Sequence, residues 1–362
     1  MITFLLFICI SFILAFLWAP LLINILYKCD IRRRSKIELD KKVENHAQKT
    51  GTPVMGGALV VVTVLVLNLV FNFSSQVGIV LLTLLLGAVL GAIDDFFNIF
   101  GHDKVSRAVR KGITPFVSFS DVTWGLYKIV LLPWQAFKEV FRAMGSYQGG
   151  FKAHEKFLLQ TMLGLFVGFF VYFQLGLNSV WLPLLGRLSV GIFYPILVTF
   201  LLVSYANAFS ITDGLDGLSG GTHIIAFLAL GVLACYFGKL DLALFCATVV
   251  GSEMAFLYFN IFPARVEMSD IGTLPLGMVY ALVGVLLGRE LAIPVIGGVF
   301  TLEVFSSFVQ VWSVKLRGKR VFKIAPIHHH FEALGWPETK VTMRFWLFAA
   351  VAAVFGTLFA LL

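Results

Sequence analysis

Long apolar runs separated by short polar segments dominate the pattern of this chain of 362 residues. A helix needs about 20 consecutive apolar residues to cross the hydrocarbon core of a bilayer. Ten runs fit or approach that length, the eighth being the shortest, and they cover residues 3–27, 55–73, 77–97, 157–176, 188–206, 222–238, 241–261, 275–288, 291–313 and 343–361. The pattern therefore predicts an all-α polytopic membrane protein with ten transmembrane helices, in a single domain over residues 1–362.

The amino-acid composition agrees with a membrane location. Hydrophobic residues make up 59% of the chain and charged residues 13%, whereas soluble domains average about 45–50% and about 25%. The first apolar run has no charged segment before it and continues as far as Lys28, which makes it too long for a signal peptide. We therefore expect an uncleaved first span.

Lysines and arginines are divided unevenly between the loops that join these runs. If the N-terminus lies outside, the inner loops hold 25 of the 28 basic residues, and only Arg187, Lys239 and Arg289 remain outside. Basic residues near span ends are retained in the cytoplasm, so we predict that both termini lie outside. Topology and anionic lipid headgroups then account for the net charge of +8, and nucleic acid is not expected as a partner.

Asp94 and Asp95 form a pair of adjacent carboxylates at the end of the third run. Two charges at mid-bilayer would cost about 5–7 kcal/mol on insertion scales, so we place the pair at the inner end of the span. That end is a helix C-terminus, where the helix dipole disfavours negative charge, and no basic residue follows until Lys104. Mg²⁺ held by carboxylates and substrate phosphates would supply the missing cation. A solvated helix end is the alternative.

The segment 207–221 joins two runs, contains no basic residue and is rich in glycine. Its Asp213 and Asp216 are three residues apart and could share a helical face, while glycines such as Gly214 allow a ligand to approach the backbone. A turn and a helix N-cap would explain one aspartate each without a ligand. Asp270, just before the eighth run, is equally compatible with an N-cap.

The stretch Lys49–Gly57 brings a lysine, two hydroxyls and several glycines to the start of the second run. Because the second run begins at the inner side, its helix N-terminus would point at the cytoplasm, where this stretch would suit phosphate binding. A plain loop-to-helix entry is the alternative.

His328, His329 and His330 are consecutive in the last inner loop. Neighbouring residues point in different directions, so a single three-histidine zinc site is geometrically awkward. Imidazoles that donate to phosphate oxygens or assist proton transfer fit better. Histidines placed at the membrane interface by chance are the alternative.

All of these motifs fall in inner loops and none falls in an outer loop. A single cytoplasmic site that binds Mg²⁺ and a phosphate-rich substrate is the simplest interpretation. The loop at 98–156 is a long cytoplasmic or interfacial insertion, in which aromatic and basic residues recur at the spacing of a helix lying on the membrane. An irregular insertion is equally compatible with its sequence.

With these motifs, the chain resembles the phospho-N-acetylmuramoyl-pentapeptide transferase family, one of the polyprenyl-phosphate N-acetylhexosamine-1-phosphate transferases. The aspartate motifs are common to that superfamily, whereas the Pro-Ile-His-His-His-Phe-Glu stretch favours the muramoyl-pentapeptide branch. The resemblance spans essentially the whole chain and is carried by Lys49–Gly57, Asp94 with Asp95, Thr212–Leu218, Asp270 with Gly272, Pro326–Glu332 and Gly335–Pro337.

The resemblance implies a ten-helix enzyme of the bacterial inner membrane, often a homodimer, with its active site facing the cytoplasm. It implies Mg²⁺-dependent transfer of phospho-MurNAc-pentapeptide from UDP-MurNAc-pentapeptide to undecaprenyl phosphate, giving lipid I and UMP. By position, Asp270 would hold Mg²⁺, and Asp94 or Asp95 would be the acid/base or a second metal contact. The catalytic residues would be Asp94, Asp95, Asp270 and His328. The substrate-binding residues would be Lys49, Lys156, Asn207, Asp213, Gly214, Leu215, Asp216, Asn260, His329 and His330.

Four positions depart from the family pattern. Asn98 stands where a lysine is usual, and Ser210 replaces an asparagine. Glu267 stands where a phenylalanine usually stacks on uracil, and Ser269 replaces a glycine. These changes fall on the nucleotide and metal sides of the expected site.

Two other functions are compatible with the sequence. The shared aspartate motifs would also serve a sister transferase that moves GlcNAc-1-phosphate to a polyprenyl phosphate. The second alternative is a membrane transporter or scaffold without catalysis. It is suggested by Glu253 and Glu303, which lie inside predicted spans, where acidic residues often mark a transport path.

Overall fold

The computed structural model describes residues 2–33, 51–100 and 153–362. Lys49 and most of the insertion at 98–156 lie outside these ranges. Twelve α-helices form within them: α1 (Ile2–Lys28), α2 (Ala58–Phe71), α3 (Ser75–Phe100), α4 (Ala153–Gln174), α5 (Tyr194–Thr212), α6 (Leu218–Tyr236), α7 (Leu240–Asn260), α8 (Asp270–Leu286), α9 (Ile293–Ile296), α10 (Gly298–Arg317), α11 (Ile327–Ala333) and α12 (Glu338–Leu361).

Each of the ten predicted apolar runs overlaps one of these helices. Eight helices in the described ranges are long and apolar enough to cross a membrane, whereas α2 and α8 are shorter apolar helices. Along α1, Ile13, Leu17 and Leu21 recur every four residues and are 55%, 72% and 61% exposed. An apolar face of this kind belongs against lipid rather than water. The chain is a polytopic helical membrane protein.

The ninth predicted run, 291–313, is not a single helix. A 3₁₀ turn at Glu290–Ala292 and the short α9 precede a break at Gly297, and α10 begins only at Gly298. A Cβ atom at Gly297 would lie 2.9 Å from the Tyr280 hydroxyl oxygen, so a glycine allows α8 to pack closely where the helix is interrupted. The hydrophobic pattern alone did not predict this break, because apolar residues continue on both sides of Gly297.

A β-hairpin between α4 and α5 is a local exception to the predicted all-α fold. Strand β1 (Ser179–Leu182) pairs antiparallel with β2 (Gly186–Ser189). Buried Glu290 accepts hydrogen bonds from the Trp181 backbone N–H at 3.2 Å and from the Tyr194 hydroxyl at 2.7 Å. These bonds attach the hairpin to the helical bundle.

Helix α8 lies at the centre of the bundle and is buried without interruption from Gly272 to Leu286. Glycines on neighbouring elements allow this position: a Cβ atom at Gly91 of α3 would lie 2.1 Å from the carbonyl oxygen of Asp270. Small residues are the usual means by which membrane helices approach this closely. The packing places the start of α8 directly against the end of α3.

A smaller apolar cluster holds the histidine helix α11. Leu215 and Leu218 pack with Val341 and Phe345 of α12, and Phe331 of α11 packs against this group. Burial of these side chains fixes α11 beside the loop that follows α5.

Candidate active site

Asp94 and Asp270 converge on one ammonium group, that of Lys156. The Lys156 Nζ atom lies 3.0 Å from Asp94 Oδ2 and 2.5 Å from Asp270 Oδ2. Ser210, on α5, donates a hydrogen bond of 2.6 Å to the other oxygen of Asp270. Four helices therefore meet at two carboxylates: α3 ends there, α4 and α8 begin there, and α5 ends there. We call Asp94, Lys156 and Asp270 the carboxylate centre.

Asp95, the neighbour of Asp94, contacts the backbone instead. Its two carboxylate oxygens accept hydrogen bonds from the N–H groups of Asp270 at 3.3 Å and Ile271 at 2.9 Å. These donors are at the N-terminus of α8, where a negative charge is stabilised by the helix dipole. The residue expected to share catalysis with Asp94 thus positions Asp270.

Asp213, directly after α5, borders the carboxylate centre. Its carboxylate accepts hydrogen bonds from the Ser219 hydroxyl at 2.6 Å and from the Ser269 N–H at 3.1 Å. Burial raises the pKa of Asp213, and the hydrogen bond from Ser219 opposes this increase. This aspartate connects the glycine-rich loop to the stretch that carries Asp270.

Asp216 and Asn260, predicted to face the nucleotide, hold loops together. Asp216 accepts a hydrogen bond of 2.9 Å from the Ala264 N–H. Asn260 accepts one of 3.0 Å from the Gly217 N–H and donates one of 2.9 Å to the Val266 carbonyl oxygen. Both side chains are buried, at 7% and 2% exposure. Their contacts set the shape of the loops around the site.

Three other predicted binding residues have separate surroundings. Asn207 donates hydrogen bonds of 2.7 Å to the Gln160 side chain on α4 and to the Val203 carbonyl oxygen. Leu215 is 3% exposed and belongs to the smaller apolar cluster. At Gly214, a Cβ atom would lie 2.3 Å from His328 Nε2, so only glycine lets the histidine approach this loop.

The three consecutive histidines contact three different groups. His328 is fully buried and its Nδ1 lies 2.9 Å from Glu303 Oε2. His329 Nδ1 lies 2.6 Å from Glu332 Oε2, and His330 Nδ1 accepts a hydrogen bond of 3.1 Å from the Lys323 N–H. Burial and the neighbouring His328 lower the pKa of His329. Of the three, His328 is the one held against the glycine-rich loop.

The described part of the Lys49–Gly57 stretch packs behind Asp270. The Met55 N–H donates a hydrogen bond of 3.2 Å to Ser269 Oγ, and the Gly57 N–H donates one of 3.0 Å to the Met268 carbonyl oxygen. Ser269 has φ 60° and ψ 179°, a backbone conformation that suits glycine. The serine side chain has a role at this position, because its hydroxyl accepts the hydrogen bond from the Met55 N–H.

Glu267 is paired with a basic residue from the loop after α1. Arg33 Nη1 lies 2.9 Å from Glu267 Oε1, and the Glu267 N–H donates a hydrogen bond of 2.9 Å to the Pro53 carbonyl oxygen. The ion pair is partly exposed and contributes at most about 1 kcal/mol. The departure from the expected aromatic residue therefore introduces a charge pair near the site.

Sequence reasoning missed two side chains that support the site, Gln160 and Glu338, and it considered a third, Glu303, only as part of a transport path. Gln160 contacts Asn207, and the Glu338 carboxylate accepts a hydrogen bond of 2.6 Å from the Asp216 N–H. Glu303 contacts His328. An acidic residue inside an apolar run was the available signal for Glu303, and the polar first turn of α12 was the signal for Glu338.

The fold is that of a helical membrane protein, with a carboxylate centre where four of its helices meet. Residues 149–288 match a family model described as glycosyl transferase family 4. The phospho-N-acetylmuramoyl-pentapeptide-transferase of Geobacillus sp. (strain WCH70) is 35% identical over 355 residues, 96% of this chain and 94% of the relative. That of Geobacillus thermodenitrificans (strain NG80-2) is 34% identical with the same coverage. The chain belongs to the phospho-N-acetylmuramoyl-pentapeptide-transferase family.

Proposed function

We propose that this protein transfers phospho-MurNAc-pentapeptide from UDP-MurNAc-pentapeptide to undecaprenyl phosphate, releasing UMP and forming lipid I in peptidoglycan synthesis. The observation that carries the proposal is the convergence of Asp94 and Asp270 on Lys156. Family membership supports the same activity through the names of the two Geobacillus relatives.

The reaction is a displacement at phosphorus. An oxygen of the polyprenyl phosphate attacks the phosphorus atom that bears the sugar, and the bond from this phosphorus to the bridging oxygen breaks as UMP leaves. Negative charge accumulates on the phosphate oxygens, so the site has to supply positive charge and donors. A phosphate monoester is largely a dianion at pH 7, so positioning contributes more than deprotonation.

Among the described residues, Lys156 provides the positive charge of the carboxylate centre. An ammonium group in this position is able to bind a phosphate oxygen. The Lys156 ammonium is held by two carboxylates from separate helices, which fixes its position before the substrate binds. Asp213 accepts a hydrogen bond from the Ser269 N–H, next to Asp270, and His328 of α11 packs against Gly214, the residue after Asp213. We assign Lys156 to the transferred phosphate and Asp213 with its loop to the nucleotide side.

Mg²⁺ is the cofactor that fits this donor set. Asp94 and Asp270 both contact the Lys156 ammonium, and two carboxylates brought together in this way, from separate helices, form a donor set that suits a divalent cation. Mg²⁺ commonly uses one or two carboxylates together with water and substrate phosphates, so Asp94 and Asp270 would suffice as its protein ligands. When bound, Mg²⁺ would neutralise charge on the reacting phosphates.

We also propose that ten helices cross the bacterial inner membrane, with both termini outside and the carboxylate centre facing the cytoplasm. The distribution of lysines and arginines supports this orientation. Helix α8 is short, but it is enclosed by protein and needs no lipid contact along its length. A homodimer is part of the proposal and follows from the family resemblance.

Release of UMP from UDP-MurNAc-pentapeptide tests the function. Purified protein with undecaprenyl phosphate and Mg²⁺ should release UMP, and Asp270→Ala should lower the rate about 100-fold or more. Asp241→Asn is the matched control, because Asp241 accepts a hydrogen bond from Ser74 at the start of α7, away from the site.

The alternatives predict other outcomes for the same assay. A sister transferase would release UMP from UDP-GlcNAc instead. A transporter or scaffold would release none, and Asp270→Ala would leave its function in cells intact. Removal of Mg²⁺ with a chelator should stop the reaction, and a rate that survives chelation contradicts the cofactor assignment.

A further inference from the structure

Two histidine–glutamate pairs are fully buried in the helical bundle. His328 Nδ1 lies 2.9 Å from Glu303 Oε2, and His223 Nδ1 lies 3.1 Å from Glu253 Oε1. All four side chains have 0% relative exposure. Burying an acid inside a membrane protein is costly unless a partner compensates it. Each histidine is the partner that compensates its buried glutamate.

The first pair reaches the candidate site. Glu303 engages Nδ1 of His328, so the opposite ring nitrogen, Nε2, points at the loop that follows Asp213. A Cβ atom at Gly214 would lie 2.3 Å from this Nε2. The Nε2 atom is buried and has no hydrogen-bond partner within the described ranges. A polar ring nitrogen is thus held without a partner at the edge of the site.

In the second pair, His223 Nε2 is likewise buried and has no hydrogen-bond partner within the described ranges, but the ring packs among aromatic side chains. His223 stacks on Phe209, with ring centroids 4.4 Å apart, and lies 5.6 Å from the ring of Phe300. Its contact with Glu253 joins α6 to α7. The two pairs have the same chemistry, but it is His328 whose Nε2 lies against Gly214, the residue after Asp213.

We propose that Glu303 is a positioning residue for the transfer reaction, holding His328 with a proton on Nδ1 and with Nε2 turned towards the glycine-rich loop, where the substrate phosphates would bind. The inference rests on the proposed function. Fixing one nitrogen determines what the other can do, as in carboxylate–histidine pairs of other enzymes. In the neutral ring, which carries its proton on Nδ1, Nε2 accepts a proton. In the imidazolium, Nε2–H donates a hydrogen bond to a phosphate oxygen, and the Glu303 carboxylate balances the positive charge of the ring.

Other charged or titratable groups surround His328. His329, on the same helix, has its ring centroid 4.1 Å away and is itself paired with Glu332. Asp213 and Asp216 flank the Gly214 contact on the opposing loop. Glu303 is the group that hydrogen-bonds to His328 itself, so the orientation of the ring depends on it.

Glu303→Gln tests the proposal because it keeps the size of the side chain and removes its charge. We expect kcat to fall about tenfold to 100-fold, the range typical of groups that orient a functional histidine, with KM for UDP-MurNAc-pentapeptide changed less than about threefold. Glu303→Asp should recover part of the loss. Glu253→Gln is the matched control and should leave kcat within about twofold of wild type.

A double-mutant cycle separates positioning from a structural role. If Glu303 acts through His328, Glu303→Gln should cause no further loss in a His328→Ala background. An equal loss in both backgrounds, an unchanged kcat in the single variant, or an equal loss from Glu253→Gln would overturn the proposal. The ¹⁵N resonances of His328 decide the case if His328→Ala is too slow to assay, because a proton absent from Nδ1 in wild type contradicts it.

Failure of the two proposals can be told apart. If wild-type protein releases no UMP, the proposed function is wrong. If wild type is active and Glu303→Gln is as fast, only the role of Glu303 is wrong. Thermal denaturation of every variant shows whether a loss of rate comes from unfolding.

Discussion

Adjacent residues at this site have different tasks because their side chains leave the helix in different directions. Asp94 faces Lys156, whereas Asp95 accepts hydrogen bonds from the first N–H groups of α8. The same holds for His328, which contacts Glu303, and His329, which contacts Glu332. A run of like residues in the sequence is therefore not a run of equivalent functional groups.

His329 gives a prediction about pH. Burial lowers its pKa in the folded protein, whereas in the unfolded chain the value is about 6.5. The unfolded state then binds a proton first as the pH falls, so stability decreases from about pH 6.5 down to the lowered value. We expect wild type to lose more thermal stability than His329→Gln between pH 7.5 and 5.5, as measured by denaturation in detergent.

The comparison between the two proteins removes contributions from other groups. His329→Gln is expected to be less sensitive to acid even if it is less stable at pH 7.5. Parallel curves for the two proteins over this range would show that His329 makes no contribution to acid sensitivity.

At the scale of elements, close contact between α3 and α8 brings the aspartates together. Gly91 and Gly87 are one helical turn apart on α3, and Cβ atoms there would lie 2.1 Å from the Asp270 carbonyl oxygen and 2.9 Å from Pro275 Cα. The close approach of α3 to α8 depends on the absence of side chains at these two glycines. The distance between Asp94 and Asp270 is thus set by glycines that carry no chemistry.

Gly91→Ala should push the start of α8 away from α3. We expect the variant to lose about 1–3 kcal/mol of stability, typical of overpacking, and to lose most of its transferase activity. Thermal denaturation and UMP release measure the two effects.

Gly78→Ala, on the same helix, is the control. A Cβ atom at Gly78 would approach nothing closer than the Phe73 ring at 3.6 Å. This change should leave both stability and rate near wild type. If the two variants behave alike, helix propensity rather than packing against α8 explains the effect.

At the scale of the whole molecule, the β-hairpin and the loop after α10 lie on opposite sides of the membrane in the proposed orientation. The β-hairpin turn exposes Leu184, at 82%, whereas the loop after α10 exposes Lys319 and its basic neighbours. In the proposed orientation the hairpin lies outside and this basic loop lies in the cytoplasm.

Cysteine labelling tests this orientation. With the four native cysteines replaced, a membrane-impermeant maleimide should label Leu184→Cys in right-side-out vesicles and Lys319→Cys in inverted ones. The opposite pattern would reverse the topology. The proposed topology has an odd number of membrane crossings between the two positions. Labelling of both from the same side would contradict it, because that result requires an even number.

Much of the fold was predictable because hydrophobicity along the chain is a local property. Each apolar run contains a helix, since a backbone in lipid has to satisfy its own hydrogen bonds. The break at Gly297 and the β-hairpin were not predicted. Both depend on contacts with distant segments, Tyr280 for the first and Glu290 for the second.

The sequence by itself determined that the chain is a membrane protein, where its helices fall, and which acidic, glycine and histidine residues stand together in loops. Only the tertiary structure decided which of these residues share a site. Lys156 and Asp270 are 114 positions apart, and Glu303 and His328 are 25 apart. Such pairs depend on how closely helices pack, and that is set by glycines and buried side chains on several helices at once.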